Sequence, residues 1–454
     1  MHPLLPPLAL SLLLIGLSFL AVAATAAEDY QPRVDYGAVL EEAGVILHGV
    51  GQNERYALVD YLAQVDEATT PLLWMDYHAI HPEQNAEDIR ELVAELTGVR
   101  DGMPDDLRFQ LGLSFKDRDE HPRVAEAIAA GELDDYIAAL GDALATLERP
   151  IYARIGYEAN GHWNKYRAKS YPAAFRRIAG ILRARIPVFA SVWCIHPGTN
   201  IDRVMAFDPG DEAADWWSVD LFEPKLIGNK TTRRYLELAH ERGKPVMIGE
   251  STPTRIGVHA KDAWQRWYEP YFELIRRSPG IKAICYINRN WRYNNLADWG
   301  DTRIGAVPAI REGWQAEIAM PIYRHASGDR DSRLVAVVAA GADEALNVDA
   351  DGLVLTFEDL PAGATHLALN LAVDPQQDGE RFDLTVTSPT QAVGESVKPK
   401  NGYRLETILL TQTAPEDGTL SLRLSSPRPL RIDGPGAGTD GVPPTLVLVA
   451  PADR

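Results

Sequence analysis

The fold class predicted by this sequence is a (β/α)8 TIM barrel followed by an all-β, sandwich-like region, and three observations carry that prediction. Eight short apolar runs alternate with amphipathic helical stretches between Val45 and about Asn288; two of those runs end in a glutamate; and beyond about Tyr323 the texture changes to short alternating runs divided by Gly, Asp and Pro. With 454 residues, 46% of them hydrophobic, the chain exceeds one ordinary domain and has material for a packed core.

Taken in order, the first element is the apolar run LLPPLALSLLLIGLSFLAVAATAA. It ends in small residues, with A-x-A spacing at Ala21 to Ala23 and again at Ala24 to Ala26, the pattern that signal peptidase requires. Residues 1–27 are read as an export signal, which places the mature protein outside the cytoplasm, secreted or periplasmic. No Lys or Arg precedes the run and Pro6-Pro7 interrupts it, so an uncleaved anchor is the competing reading. No cysteine lies in or just after the segment, which argues against a lipid anchor; no stable membrane insertion is expected after cleavage.

The eight runs are VILHGV at 45, LLWMDY at 72, LRFQLGL at 107, IYARIGY at 151, VFASVWC at 188, WWSVDLF at 216, VMIGE at 246 and IKAICYI at 281. Between them lie readable helices. Leu133, Tyr136, Ile137, Leu140, Leu144 and Leu147 share one face before Pro150, and Tyr235, Leu236, Leu238 and Ala239 precede Gly243 and Pro245. Each break launches the next run, so the pattern is one of parallel strands with crossover helices, and residues 28–323 are assigned to the barrel. Trp264 and Trp267 are read as helix core. After the polar linker RHASGDRDS, GLVLTFEDL, HLALNLAV, FDLTVTS, TLSLRLSS and TLVLVAP read as strands of an accessory β domain over 332–454. That region has no tryptophan and little aromatic platform, so a packing role is favoured over independent ligand binding.

Composition narrows the function. A formal net charge of −19 leaves no basic stripe for phosphates, so nucleic acid is not an expected partner. Cys194 and Cys285 are the only cysteines; both lie in apolar runs and read as buried thiols. They lack metal-ligand spacing, HAIHP from His78 to Pro82 is a weak metal signal, and no metal or cofactor is expected.

Glu158 ends the fourth run and Glu250 the seventh. In a barrel these positions lie across the carboxyl-end rim from one another, where two carboxyls can converge on one glycosidic bond. Either glutamate taken alone reads equally well as a solvated loop residue; the pair makes the case.

The stretch R-I-G-Y-E-A-N-G-H-W, from Arg154 to Trp163, resembles the family-26 glycoside hydrolases, retaining β-mannanase-type enzymes with a pattern close to R-x-x-H-E-x-N-G-x-W. The resemblance implies an acid/base role for Glu158, an arginine beneath it at Arg154, a following loop at Asn160-Gly161 and Trp163, and a nucleophile at Glu250 in KPVMIGES. Gly51-Gln52 and ADWWSVDLF are similar to the family's first and sixth strands. Two departures stand out: Tyr157 replaces a histidine, and Phe222 aligns with a tyrosine that hydrogen-bonds the nucleophile.

Apart from the resemblance, residues 154, 156 and 158 would share one face of a continuing strand, placing Arg154 inside the barrel below Glu158. Burial and a facing Glu250 would keep Glu158 protonated. A glycan cleft needs aromatic platforms and amides, and such residues crowd the rim: Tyr157, His162, Trp163, Asn164 and Tyr166; Trp193 and His196; Asn288, Asn290, Trp291 and Trp299. Arg154, Tyr157, Asn160, His162, Trp163, Trp193, Asn288 and Trp291 are the expected substrate-binding set. The sequence thus predicts an exported, retaining, endo-acting β-glycosidase with a polysaccharide or oligosaccharide substrate, β-mannan or another β-linked hexose polymer. A catalytically silent glycan-binding barrel in extracellular polysaccharide handling is the alternative, and a metal-dependent hydrolase finds too few ligands.

Overall fold

All eight apolar runs form strands. They are β1 (Ile46–Gly51), β2 (Leu73–Ala79), β3 (Arg108–Ser114), β4 (Ile151–Ile155), β5 (Phe189–Ile195), β6 (Trp216–Leu221), β7 (Val246–Ser251) and β8 (Ile281–Ile287). The computed structural model describes residues 30–51, 55–62, 64–118, 120–291 and 296–328, and beyond these 337–339, 346–348, 350, 352–357, 366–374, 382–389, 392–397, 404–411, 418–427, 430–432 and 445–449. The expected export signal and Gln52 lie outside the described residues.

The strands pair in parallel from β2 through β8, then β8 with β1, and β1 closes on β2 through Gly49, Val50 and Gly51. This is a closed (β/α)8 barrel. A ninth short strand, β9 (Tyr323–Arg324), pairs with Ile46 and Leu47. It supplies a ladder partner at the end of β1 that β2 does not reach.

Alternation along the strands sorts their side chains into two packed sets. Leu47, Leu73, Met75, Tyr152, Ala190, Val192, Trp216, Met247, Ala283 and Cys285 fill the interior, while Trp74, Phe109, Leu111, Ala153, Trp193, Trp217, Ile248 and Tyr286 pack against the helices. The helical readings hold where their apolar stripes are strongest: in Asp134–Ala145, Ile137, Leu140 and Leu144 are buried, and in Lys230–Glu241, Tyr235 and Ala239 are. Trp267 is buried as expected, in a π-helical turn over Trp264–Tyr268 that leads into the helix Glu269–Arg277.

The amino-terminal end of the barrel is plugged. The Trp216 indole donates to the Val39 carbonyl at 2.8 Å, the Tyr152 hydroxyl to the Leu40 carbonyl at 2.6 Å, and Lys282 and Glu41 form a buried ion pair at 3.1 Å. A site must therefore open at the other rim, where the strands' carboxyl ends lie.

Beyond the barrel the described segments form two antiparallel sheets. One is ordered Leu353–Phe357, Leu420–Ser425, Phe382–Thr387, Ala392–Val397; the other contains Val337–Ala339, Thr445–Val449, His366–Asp374, Leu430–Ile432 and Leu346–Val348, with Arg404–Thr411 beside His366–Asp374. The five expected runs all contain strands, and Leu420, Leu422 and Leu424 alternate buried with exposed neighbours as a one-sided sheet requires. Residues 337–339, 346–348, 392–397, 404–411 and 430–432 form strands that the sequence reading did not name.

Candidate active site

β4 ends at Ile155, three residues before Glu158, so the expectation that Arg154, Gly156 and Glu158 share one continuing strand face is corrected. The chain leaves the strand at Gly156, with φ +60°, and passes through a second left-handed residue at Glu158 itself, with φ +47°. A side chain on Gly156 would come within 2.6 to 2.7 Å of the Tyr171 and Phe115 rings, so only glycine fits. Glu158 tolerates a strained backbone because its surroundings fix it. The Gly156 N–H donates to the Leu113 carbonyl at 2.7 Å, the Ala159 N–H to the Cys194 carbonyl at 3.0 Å, and the Asn164 amide to the Tyr157 carbonyl at 2.9 Å.

Glu250 reaches the interior by another device. On β7 the register runs Val219 to Ile248 and then Asp220 to Glu250, skipping Gly249, and the same extra residue appears against β8. This is a β-bulge, and it re-aims the side chain that follows it. Glu250 takes the same face as its partner Asp220, inward, instead of the outward face that alternation after Ile248 would give. Gly249 is needed at the bulge because a Cβ there would lie 2.5 Å from the Ser218 hydroxyl and 2.8 Å from Arg154 Cδ.

Arg154 is fully buried and joins the two strands' carboxylates. Its Nη1 donates to both Asp220 oxygens at 3.0 Å and its Nη2 to Glu250 Oε1. Sulfur atoms of Cys194 and Met75 complete its surroundings at 3.5 and 3.7 Å, and the Tyr157 and Tyr77 rings lie at 5.2 and 5.9 Å from its guanidinium carbon. Although burial works against the charge, Asp220 and Glu250 hold Arg154 well above its ordinary value. Burial, with the charge of Glu250 added, pushes Asp220 up to about 7 against the pull of Arg154.

Glu158 sits in a different environment. It is 7% exposed; Oε2 accepts the Trp163 indole N–H at 2.7 Å, and Oε1 has no hydrogen-bond partner among the described residues. Burial, then the charges of Asp220 and Glu250, raise its carboxyl well above the usual range, opposed by the Trp163 hydrogen bond and Arg154. One carboxylate is thus clamped by a cation, and the other is held with one oxygen lacking a partner where a proton is favoured.

The structure gathers Arg154, Tyr157, Glu158, Trp163 and Glu250 into one site. His162 and His196 flank the half-exposed Trp163 edge-on at 4.9 and 4.8 Å. Asn160 lies in the same loop, with both ends of its amide on the β5 loop: it donates to the His196 carbonyl at 2.7 Å and to the Thr199 hydroxyl at 3.0 Å and accepts from the His196 N–H at 2.9 Å. Its work is to fix that loop. Trp291 lies over the barrel interior near Trp299, at 4.7 Å, and Trp299 lies 5.1 Å from Phe222.

Two expected substrate residues lie elsewhere. Trp193 is fully buried on the outer face of β5, packed on Trp217 and Tyr235 at 4.8 and 5.6 Å, because strand parity points Val192 and Cys194 inward and Trp193 toward the helices. Asn288 is also fully buried; it donates to Asp60 at 2.7 Å and accepts from the Ile304 N–H at 2.8 Å, joining the end of β8 to its neighbours. Asp220, Tyr77 and the bulge at Gly249 were missed. The signal for Asp220 was a lone carboxylate on the inward parity of WWSVDL; for the bulge it was a glycine within a strand. No group of His, Cys, Asp and Glu that could hold a metal ion occurs among the described residues.

No family model matches the chain. It is 27% identical over 250 residues to a β-1,3-xylanase of an Alcaligenes species, covering 48% of this chain and 52% of that protein. With the β-1,3-xylanase TXYA of a Vibrio species it shares 26% identity over 229 residues, covering 44% and 50%. Among solved structures, a Cellulomonas fimi endo-β-1,4-mannanase double mutant shares 17% identity with a TM-score of 0.44, over 79% of this chain and 87% of that one. Both of those curated relatives are named β-1,3-xylanases, and the chain spans about half of their length.

Proposed function

We propose that the protein is an exported retaining glycoside hydrolase that cleaves a β-linked polysaccharide, with Glu250 as nucleophile and Glu158 as acid/base. The observation that carries the reading is the unequal environment of the two carboxylates: Arg154 binds Glu250, while Glu158 is buried with Oε1 lacking a partner and its proton affinity raised. Retention requires one ionised carboxylate to attack the anomeric carbon and one protonated carboxyl to donate to the leaving oxygen. When Glu250 becomes an ester in the glycosyl-enzyme, its charge disappears and with it part of the raised affinity of Glu158. Glu158 can then accept a proton from water. Asp220 keeps Arg154 in place through both steps.

The substrate backbone is β-linked. The family pattern resembled by the Glu158 motif points to a mannan-type hexose polymer, and the curated relatives' name points to β-1,3-xylan. The apolar leader supports export, and no helix among the described residues is long and apolar enough to cross a membrane. Reducing-end release from a panel holding both polymers decides the backbone. A 2-fluoro glycoside of the sugar so identified should then leave a covalent adduct on Glu250, read by peptide mass spectrometry. An adduct on another carboxylate overturns the assignment, and an enzyme that binds but cuts nothing in the panel favours the silent glycan-binding barrel.

A further inference from the structure

Beside Glu158 the rim carries two adjoining cavities. One, of about 330 Å³, is lined by Trp163, His162 and Arg203; the other, of about 580 Å³, by Glu223, Lys225, Asn229 and Lys230; His196, Gly198 and Thr199 border both. Their size is that of small-ligand sites. The loops around them are bonded to one another and so are preformed: Asn160 joins the β4 and β5 loops, Asn229 donates to the Pro197 carbonyl at 3.1 Å, and the Thr231 hydroxyl donates to the Thr199 carbonyl at 2.6 Å. The approach to the first cavity is the exposed face of Trp163, whose indole N–H holds Glu158.

The charge of this lining runs against that of the molecule. In a chain of net charge −19, Arg203, Lys225 and Lys230 meet a single carboxylate, Glu223. Glu223 pairs with Lys225 at 2.8 Å and also lies 3.8 Å from Arg255, so an incoming anion can take Lys225 without leaving Glu223 unpaired. Arg203 and Lys230 are exposed and form no ion pair among the described residues. A neutral polysaccharide does not require three cations along two adjoining cavities, the first of which is lined by the tryptophan that holds Glu158. We infer that these cavities bind an anionic substituent, a carboxylate or a sulfate ester, on the sugar chain whose backbone is cut at Glu158 and Glu250. The inference rests on the glycosidase reading and adds to it the chemical class of the decorated substrate.

Exposed charges contribute modestly one by one, so three acting together should favour an anionic ligand by about tenfold at low ionic strength, and the preference should shrink as salt screens it. The test is calorimetric binding to the full chain carrying Glu158→Gln, with neutral β-1,3-xylotetraose and β-1,4-mannotetraose, and with the same oligosaccharides bearing one glucuronic acid or one sulfate ester. The expected result is tighter binding of at least one anionic series, weakened by salt and brought down to the neutral value by Arg203→Ala with Lys230→Ala. The two anionic arms tell a uronic acid from a sulfate. Equal binding of neutral and anionic ligands, or an anionic preference that survives both substitutions in a variant with unchanged thermal unfolding, overturns the inference and leaves the glycosidase reading standing. No binding of any oligosaccharide, together with no hydrolysis by the unsubstituted protein, overturns the glycosidase reading and the inference with it.

Discussion

Glu158 and Glu250 are the same residue type, and their neighbours set them apart. Arg154 supplies a cation to one; burial, two nearby negative charges and a single indole N–H act on the other. Trp163 therefore has a measurable effect on protonation. Its hydrogen bond lowers the proton affinity of Glu158, so removing the donor raises that affinity further. In the proposed role Glu158 must be protonated to donate, so the rate should fall as pH rises through its pKa, and Trp163→Phe should move the alkaline limb of the kcat/KM profile to higher pH. A limb that stays in place or moves to lower pH would show that Glu158 does not set it. Arg154 is bound by two carboxylates in the interior, and its loss would leave both without their cation.

At the scale of elements, most of the barrel was legible and the orientation of particular side chains was not. Each strand run is bounded by a Pro or Gly break or a polar loop, so strand count and order could be read directly from the sequence. Trp193 was misplaced because an aromatic near a strand's end was read as rim, when counting parity from the inward residue Cys194 points it outward. The bulge at Gly249 has no local signature stronger than a glycine in a strand, yet it is what turns Glu250 inward, so the direction of that side chain could not be read from strand-end position. The left-handed turn at Gly156 to Glu158 depends on Tyr171 and Phe115, distant in sequence. Parity gives a direct prediction: Trp193→Ala should cost about 3–5 kcal/mol of stability in chemical denaturation, as loss of a fully buried tryptophan does, while KM of the folded enzyme stays as it was. A raised KM without lost stability would return Trp193 to the cleft.

At the scale of the whole molecule, the barrel's hydrogen bonding runs beyond the expected boundary at 323. β9 pairs with β1, His48 and His325 are in ring-nitrogen contact at 3.0 Å, the Ala326 N–H donates to the Thr70 carbonyl at 2.9 Å, and Ser327 is bonded to Asp106. We propose that a chain ending at Gly328 unfolds cooperatively and keeps its cleavage activity, whereas one ending at Met320 loses cooperativity, as followed by circular dichroism and reducing-sugar release. Equal behaviour of the two would show that β9 does not contribute to closure. The central claim is that Glu158 works as acid and then as base beside a Glu250 nucleophile, and Glu158→Ala tests it most directly. Turnover of polysaccharide should fall by about 10²-fold or more, while the first step on an activated aryl glycoside persists and the intermediate accumulates. Azide, which needs no general base, should restore turnover of the aryl glycoside and yield a glycosyl azide of retained configuration. A folded Glu158→Ala protein that loses both activities equally and gains nothing from azide would contradict the account.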